Sequence, residues 1–376
     1  MKGRFKRVAS HWKFSWMTHW EEIWAPEFEQ QWLTWLDQSL SAHVFYHPAL
    51  IKAWLDTYLP LRHISPLFLV AESGESKVLF PLILWKRNWK NAFQNLLVPA
   101  GYADYDYHNP IVASQNPNEL PDMVSFWNEF SEILLTKKCP VKFDRFLLEG
   151  ICHTAKNPQA ETWTQNDFCP WLDLSPFQNP EDFLASLKKS LRGDLRRQER
   201  RVSETGVLQY EVFSSSQLEK IQAELFPFLS AHSQRWPEAY KAPYFHQKIC
   251  EQGLKAGILH FSRITIDGIS AAWHMGFVFK KRFYYYLPAH EERYQRFSPG
   301  KLILLKCIED AIQKGIWVYD FLRGDESYKT GWTNQRLPLW TLQLDREDLM
   351  PKIRNKMVGQ VKPKINSLAI QFRRLL

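Results

Sequence analysis

The chain is short of the residues and motifs that mark several large protein classes. Glycine accounts for only 15 of 376 residues, against a usual share of about 7%. The signatures GxGxxG, GxxxxGK[ST] and GxSxG do not occur, so the sequence lacks the standard dinucleotide fingerprint, the P-loop and the nucleophile elbow of hydrolases. No apolar run approaches the length of a membrane-spanning helix. The basic N-terminus lacks the apolar stretch of a secretory signal.

Cysteine is sparse and scattered. The five cysteines never lie closer than 13 residues apart, and no CxxC pair occurs. Their spacing therefore predicts neither a zinc motif nor a disulfide framework. We expect reduced thiols, no bound metal and a cytoplasmic protein.

Positive charge is concentrated at the two ends of the chain. The net charge is +8, yet residues 10–349 carry 37 cations against 40 anions. Residues 1–9 and 350–376 carry four and seven cations and no acid. We therefore expect peripheral contact with the inner face of an anionic membrane through the termini, and no nucleic-acid partner unless aminoacyl-tRNA is a substrate.

Four tryptophans follow the basic N-terminal stretch at intervals of four residues, at positions 12, 16, 20 and 24. In a helix they would form one aromatic stripe beside cations, which is typical of an interfacial helix. The alternative is packing onto the domain that follows, which we favour for Trp20 and Trp24. The tail 350–376 mixes cations and spaced apolar residues in a similar way.

The most regular pattern lies between residues 257 and 345. Two-residue turns at Asp267–Gly268 and Lys280–Lys281 separate three predicted strands, which are 258–266, 269–279 and 282–287. Ser298, Pro299 and Gly315 predict the N-cap, the first residue and the C′ position of a helix. A buried strand is predicted next, at 316–322.

The same order of elements is predicted earlier in the chain. It consists of a hairpin, a third strand, a helix and a fourth strand, at 67–72 and 77–85, 93–99, 120–137 and 143–149. We therefore predict an α/β (α+β) protein with two copies of one unit, each a mixed, mostly antiparallel sheet flanked by helices. The predicted domains are 20–165 and 166–349, between basic segments 1–19 and 350–376, with a proline-rich boundary in 152–180.

A candidate phosphate site precedes the predicted helix. Its pattern is Gln295-x-x-Ser298-x-Gly300, followed by Lys301. A helix N-terminus presents free N–H groups and the positive end of the helix dipole, which favour phosphate. The pattern resembles the pyrophosphate loop of GNAT-superfamily acyltransferases, Q/R-x-x-G-x-G/A, with serine in place of the first glycine. The alternative is a structural helix with a good cap.

The strand after that helix ends in VYDFLRGDESYKTGW, residues 318–332. Ligands of α/β sheets bind at strand ends, so the ionisable residues of this motif are candidate site residues. They are Asp320, Arg323, Asp325, Tyr328 and Lys329. The alternative is a surface turn in which Arg323 pairs with Asp325.

These motifs together resemble the CelD-type acetyltransferases linked to cellulose and polysaccharide biosynthesis, which are GNAT-superfamily proteins related to the Fem peptidyltransferases. The resemblance rests on SPGKLILL, DFLRGDESYKTGW and SLKKSLRGDLRRQERRVSETGVL, and in the N-terminal half on VFYHPALIKAWLDTY, FPLILW and ADYDYHNPIV. It covers roughly residues 20–345. It implies tandem GNAT-like domains, with acetyl-CoA or another acyl-CoA at Gln295, Ser298, Gly300 and Lys301. It also implies a small-molecule or glycan acceptor, with Asp106 and Tyr107 as candidate substrate contacts.

GNAT chemistry is direct attack of an amine or hydroxyl on an acyl thioester, which needs a base, an oxyanion donor and an acid for the thiolate. Asp320 and Asp325 are our candidate bases and His274 is the next. Tyr285 is the candidate acid. The alternative is that His274 and Tyr285 are packed strand residues; alternation along a strand places Tyr285 opposite Tyr284 and Tyr286.

Seven cations lie in the run 188–201. Helical spacing puts residues 189, 192, 196 and 200 on one face. Arg192 and Arg196 are thus candidate ligands for the phosphate of coenzyme A, a nucleotide sugar or a lipid pyrophosphate, the alternative being a solvated face. Arg323, Tyr328 and Lys329 complete the predicted substrate-binding set.

The sequence therefore predicts an acyltransferase that moves an acyl group, an acetyl group in the simplest case, from an acyl-CoA to an amine or hydroxyl of a sugar, nucleotide sugar or glycan precursor. Two other functions stay open. One is a Fem-like transferase that depends on aminoacyl-tRNA. The other is a non-catalytic accessory of a polysaccharide synthase, held at the membrane by its termini.

Overall fold

The computed structural model describes residues 12–114, 121–136, 138–152, 163–237 and 241–361. These separate into two compact units. Unit 1 is drawn from Met1–Ile51, Tyr58–Asn166 and Leu339–Leu376, and unit 2 from Lys52–Thr57 and Asp167–Pro338. Residues 339–349, which we expected with the C-terminal domain, thus count with unit 1. The cations expected at 2–7 and at 362–374, and Pro158 of the expected boundary, lie outside the described residues.

The elements up to residue 152 build unit 1, except that Lys52–Thr57 of the third helix count with unit 2. They are β1 (Lys13–Met17), α1 (Trp20–Ile23), α2 (Pro26–Gln38), α3 (Pro48–Tyr58), β2 (His63–Pro66), β3 (Phe68–Ser73), β4 (Ser76–Phe80), β5 (Leu82–Lys86), β6 (Asn95–Pro99), β7 (Ile111–Ser114), α4 (Met123–Leu135) and β8 (Arg145–Cys152). Strands β1, β3, β4 and β7 form an antiparallel sheet in that order. In a second sheet β2, β5 and β6 pair antiparallel, and β6 pairs parallel with β8.

Two sequence predictions for unit 1 are wrong in part. The strand predicted over 77–85 is two strands in different sheets, because Pro81, which has no N–H group, interrupts it between β4 and β5. Trp16 lies on strand β1, paired with Leu69, so the four tryptophans do not form a helical stripe. Trp20 and Trp24 pack within unit 1 as expected, against the rings of Phe68 and Trp32.

Unit 2 begins in the strand that follows. Its elements are β9 (Trp163–Asp173), α5 (Pro180–Ser186), α6 (Lys189–Ser203), β10 (Leu208–Val212), α7 (Leu218–Arg235), α8 (Phe245–Lys255), β11 (Leu259–Ile266), β12 (Ile269–Phe279), β13 (Arg282–His290), α9 (Pro299–Gln313), β14 (Val318–Asp320) and α10 (Ser327–Thr330). Strands β10 to β13 form an antiparallel meander. Strand β13 then pairs parallel with β14, and β14 pairs antiparallel with β9.

The chain closes with β15 (Arg336–Asp345) and α11 (Leu349–Lys356). Strand β15 pairs with β8 of unit 1 through residues 339–345. In each unit a helix follows one of two parallel strands and precedes the other, β6 and β8 in unit 1 and β13 and β14 in unit 2, and the second of them pairs antiparallel with a further strand, β15 or β9. The predicted fold class, a mixed α/β fold with mostly antiparallel sheets flanked by helices, is confirmed. Within the described ranges no helix is both long and apolar enough to cross a membrane.

The core of unit 2 lies between its sheet and α9. Most residues of α9 are buried, and they pack on Phe283, Tyr285 and Tyr319 of strands β13 and β14. The predicted strands, turns and helix of residues 258–322 are confirmed to within a few residues. The packing of α9 on the sheet fixes the helix start relative to the end of β13, where the candidate site lies.

Candidate active site

Strands β13 and β14 run side by side for only three residues. Arg282, Phe283 and Tyr284 pair with Val318, Tyr319 and Asp320. Beyond Tyr284, β13 continues to His290, whereas the chain after Asp320 leaves the sheet at Leu322, whose φ is +59°. The two parallel strands therefore diverge, and a gap opens beside the start of α9.

A cavity of about 570 Å³ occupies this gap within unit 2. Six of the predicted site residues line it, namely Tyr285, Gln295, Ser298, Gly300, Lys301 and Tyr328. The structure thus brings the predicted loop and two predicted tyrosines to one cavity. Of the remaining predicted residues, none is among those that line it.

The start of α9 has an unusual backbone. Ser298 is the N-cap residue, but its φ of +50° lies in the left-handed region and its side chain makes no capping hydrogen bond. The prediction of a serine side-chain cap is therefore wrong, whereas Pro299 is the first helical residue as expected. A left-handed residue is the position where glycine is favoured, which explains why the GNAT pattern has glycine here.

Gly300 allows a close approach between the helix and β13. A Cβ atom at this position would lie 3.3 Å from Nδ1 of His290, which is a tight contact. Lys301 donates to Oδ2 of Asp194 on α6 at 2.7 Å, and this hydrogen bond lowers the pKa of Asp194. The ammonium of Lys301 is thus already paired beside the cavity.

Several lining residues were missed by the sequence analysis. Arg235 and Trp236 come from the end of α7, and His290 from the end of β13. Arg235 is exposed and stacks over the Trp236 ring at 4.6 Å, so it adds a positive charge to the cavity. Burial, followed by the charge of Arg235, lowers the pKa of His290, which keeps this imidazole neutral at neutral pH. The sequence signal that could have identified His290 as a site residue is its position at the end of a strand.

Tyr285 and Tyr328 place two phenols on the cavity. Burial raises the pKa of Tyr285 well above its usual value, and the neighbouring Tyr328 adds to the effect. Burial also raises the pKa of Tyr328. Both groups therefore stay protonated, as a proton donor requires. Tyr285 lies in the core face of its strand beneath α9, with its ring stacked on His274 at 4.4 Å.

Asp320 is a buried group that organises the turn, and its geometry disfavours the predicted role of a free base. Its side chain is fully buried. One oxygen accepts from Arg282 Nη1 at 2.9 Å and the other from the Leu322 N–H at 2.8 Å. Both carboxylate oxygens are therefore used inside the protein, away from the cavity. His274 is likewise fully enclosed, and burial lowers its pKa well below the usual value.

The rest of the polar motif also supports the turn. Arg323 donates to Asp167 at 2.8 Å rather than to Asp325, and Asp325 is exposed beside Arg336. Lys329 is buried, donates to the Arg323 carbonyl at 2.8 Å and pairs with Glu326. The density of ionisable residues in DFLRGDESYK thus reflects a hydrogen-bonded turn, and of the motif only Tyr328 lines the cavity.

The other predicted contacts lie elsewhere. Arg196 is exposed on α6, and Arg192 donates to the carbonyl of Ala185. Asp106 and Tyr107 belong to unit 1, where Tyr107 is buried among aromatic rings that include Phe45. None of these four predicted residues is among those that line the cavity.

The residues that line this cavity lie within a stretch that matches a known domain family. Residues 189–330 match the sequence model of the Acetyltransferase (GNAT) domain. The match spans α6, the diverging strands and the loop at Ser298. The predicted acyltransferase is confirmed at this level, and GNAT domains use acyl-CoA as the donor. No curated protein matches the chain.

Solved structures of low sequence identity share the fold. FemX is 9% identical with a TM-score of 0.59, over 88% of this chain and 98% of that chain. A conserved protein of unknown function from Bacteroides thetaiotaomicron is 11% identical with a TM-score of 0.52, over 84% and 97%. A C-terminal domain provisionally assigned to lysylphosphatidylglycerol synthetase from Agrobacterium fabrum is 14% identical with a TM-score of 0.50, over 82% and 96%. At these identities the likeness concerns the fold alone.

Proposed function

We propose that unit 2 transfers an acyl group, an acetyl group in the simplest case, from an acyl-CoA to an amine or hydroxyl of a sugar, nucleotide sugar or glycan precursor. The observation that carries the proposal is the divergence of β13 and β14 into a 570 Å³ cavity at the start of α9. The sugar-type acceptor rests on the resemblance to CelD-type proteins. Cytoplasmic location is part of the same proposal.

The donor is proposed to lie along the gap with its phosphates at the helix start. The 15-residue helix α9 directs the positive end of its dipole to the loop at Ser298 and Gly300. Arg235 supplies a further cation on the opposite wall. Lys301, which is paired with Asp194, is assigned a smaller share of the phosphate binding because its charge is already balanced.

Proton transfer is assigned to side chains that line the cavity. Tyr285 or Tyr328 would protonate the leaving thiolate, since burial keeps both phenols protonated. His290 would accept the proton of the acceptor, since a neutral imidazole is a competent base. This assignment replaces Asp320, whose oxygens are both engaged.

Donor binding is tested by calorimetric titration of the full chain with acetyl-CoA and with coenzyme A. We expect both to bind, and we expect Arg235→Gln to weaken them by about tenfold, the usual weight of one charge-assisted hydrogen bond. Arg196→Gln is the matched control, because Arg196 is exposed on α6 and does not line the cavity. If neither acetyl-CoA nor coenzyme A binds, the donor assignment is wrong.

A Fem-like transferase is the second candidate function. The fold shared with FemX is accompanied by an exposed row of cations on α6, formed by Lys189, Arg196 and Arg200. Titration with aminoacyl-tRNA distinguishes the two, since binding of that donor without binding of coenzyme A favours the Fem-like function. Binding of neither donor favours the non-catalytic accessory.

We also propose that unit 1 contacts an anionic membrane through α11. The buried residue of this helix is polar: Asn355 accepts from Gln94 and donates to the Asp144 carbonyl. Leu349 and Ile353 on the outer side are 73% and 43% exposed. An apolar face of this kind beside Lys352 and Lys356 fits anionic lipid.

The loop between β5 and β6 extends the same kind of surface. It carries Trp89 and Phe93, which are 69% and 62% exposed. Gln94, the next residue, is the one that bonds to Asn355 of α11 at 2.7 Å. Exposed tryptophan and phenylalanine next to Lys90 are the residue types of a membrane interface. The proposed lipid contact thus includes folded residues as well as the basic termini.

A further inference from the structure

Three buried side chains from three elements lie together beneath α9. They are His260 on β11, His274 on β12 and Cys307 on α9, with exposures of 3%, 0% and 0%. One potential metal ligand atom from each lies within 4.8 Å of the others. His260 pairs with Gly276 and Ser262 pairs with His274, so both histidines lie on the face of the sheet that α9 covers.

The two imidazoles leave polar atoms without partners. In the described part of the chain, neither ring nitrogen of His274 has a hydrogen-bond partner, and Nδ1 of His260 has none either. More than nine in ten buried polar groups are satisfied, and each one left without a partner destabilises the folded state. Three such nitrogens beside one buried thiol indicate a missing partner rather than three separate defects.

The surroundings match those of a metal ligand. Nε2 of His260 is 3.1 Å from Oδ2 of Asp310, which leaves Nδ1 for another partner. A carboxylate on the far nitrogen of a histidine is the usual outer contact of a zinc-bound imidazole. The Cys307 thiolate would balance one of the two charges of a divalent ion, and the carboxylate of Asp310, which also accepts from Lys314 at 2.8 Å, lies next to His260.

We propose that His260, His274 and Cys307 bind one zinc ion that stabilises unit 2. Two imidazoles and a thiolate are ligands that zinc prefers, whereas calcium and magnesium take oxygen ligands. Zinc bond lengths place tetrahedral ligands roughly 3.3–3.8 Å apart, so from a spacing within 4.8 Å the ligand atoms need to approach one another by up to about 1.5 Å. Ser262 Oγ lies 3.6 Å from Cys307 Sγ, beside the fourth position.

The zinc site would affect the catalytic cavity although none of its three ligands lines that cavity. The ring of His274 supports the ring of Tyr285, with 4° between the ring planes. A metal bond would fix the orientation of the His274 imidazole and thereby the position of the Tyr285 ring stacked on it. The inference goes beyond acyl transfer, because the ion would be present whether or not a donor is bound.

Metal content of the full chain tests the proposal. The untagged protein is produced with zinc in the medium, purified without chelator and analysed by mass spectrometry for zinc and copper. We expect about one zinc per chain, lost in Cys307→Ser and kept in Cys250→Ser. Cys250 is the matched control, because it is a fully buried thiol whose sulfur contacts Met275 instead.

A second measurement covers the case in which Cys307→Ser fails to fold. X-ray absorption on the wild-type protein reads the ligand set directly, and we expect one sulfur and two imidazole nitrogens around zinc. Because a buried ion enters during folding, cobalt is introduced by refolding and should give cobalt–thiolate absorption. The proposal is overturned by less than 0.1 zinc per chain together with no such absorption, by a shell without sulfur, or by equal zinc in the folded Cys307→Ser variant.

Discussion

The imidazole of His274 lies flat against the phenol of Tyr285, with 4.4 Å between ring centroids. Burial lowers the pKa of the first ring and raises that of the second, so both are neutral over the ordinary pH range. Only Tyr285 lines the cavity. The pair therefore joins a packed core residue to a phenol that retains a proton for transfer.

Replacing Tyr285 by phenylalanine should lower turnover by about 100-fold or more, the usual weight of general acid catalysis, with donor affinity unchanged because the ring remains. Steady-state release of free thiol and a donor titration measure the two quantities. Tyr286→Phe is the control, since Tyr286 lies on the other face of β13 against Phe277. Wild-type turnover in Tyr285→Phe would transfer the role to Tyr328.

Asp320→Asn should act on stability. Asparagine keeps one oxygen for the Leu322 N–H, but its uncharged NH2 group cannot accept from Arg282. Loss of this charge partner should lower the free energy of unfolding by roughly 2–3 kcal/mol. Activity per folded molecule should stay within a fewfold of wild type. Denaturant titration and an active-fraction assay separate these effects. A 100-fold fall in turnover at unchanged stability would restore Asp320 as the base.

Ser298→Gly should stabilise the protein. A left-handed backbone costs a residue with a side chain roughly 1–2 kcal/mol, and Ser298 has a φ of +50° without a side-chain cap. Glycine removes this strain and loses part of the gain to its larger unfolded-state entropy, which leaves about 1 kcal/mol or less. Thermal unfolding checks the direction. Ser214→Gly is the contrasting variant, because Ser214 is an N-cap residue in extended conformation whose side chain takes part in a capping box, so its replacement should not stabilise.

Acid should destabilise unit 2 through two half-buried histidines, His232 and His246. Burial and the nearby charge of Lys241 lower the pKa of His246 to about 3 and that of His232 to about 4. The unfolded chain takes up protons near pH 6.5, so stability is present above that value and falls as the pH drops toward 4. The slope is about 1.4 kcal/mol per pH unit for each group.

Urea unfolding at pH 7 and pH 5 measures this dependence. His246→Phe should reduce the difference between the two pH values, because the ring that must stay neutral is gone. His63→Gln, at an exposed position on β2, should leave the difference unchanged. An unchanged difference in His246→Phe would show that other groups control the acid response.

Lipid binding should depend on the outer side of α11. Changing Leu349 and Ile353 together to serine should reduce co-sedimentation with anionic vesicles severalfold, because buried apolar area sets the binding strength. Leu40→Ser is the control, since Leu40 is also exposed, at 82%, but lies after α2. Equal binding by the double variant would leave the basic termini as the remaining contact.

The sequence predicted the core of unit 2 well because its signals are local. Turns such as Asp267–Gly268, and the Pro299 and Gly315 pair around α9, depend on neighbours in the chain. The tryptophan spacing near the N-terminus led to a wrong prediction. An interval of four residues occurs along one helix, but it also occurs here across a strand and the helix after it. Trp16 is held on β1 by pairing with Leu69, which no local pattern shows.

The candidate site was also predicted only in part, because many of its contacts join residues that are far apart in the chain. The loop at Ser298 and Gly300 is contiguous, and it lies on the cavity. Asp320 looked like a free carboxylate because its partner Arg282 is 38 residues away. Arg235 and His290 carry no motif, and the cluster of His260, His274 and Cys307 joins three elements without a characteristic spacing.

Because of where strands β9 and β15 lie in the chain, the two units differ in how continuous they are in sequence. A fragment of residues 163–338 retains all six strands that pair in unit 2, whereas a fragment ending at residue 166 lacks β15 and leaves the edge of β8 open. Such an edge invites aggregation. Unit 2 is therefore nearly one continuous stretch of sequence, whereas unit 1 needs the far end of the chain to complete its sheet.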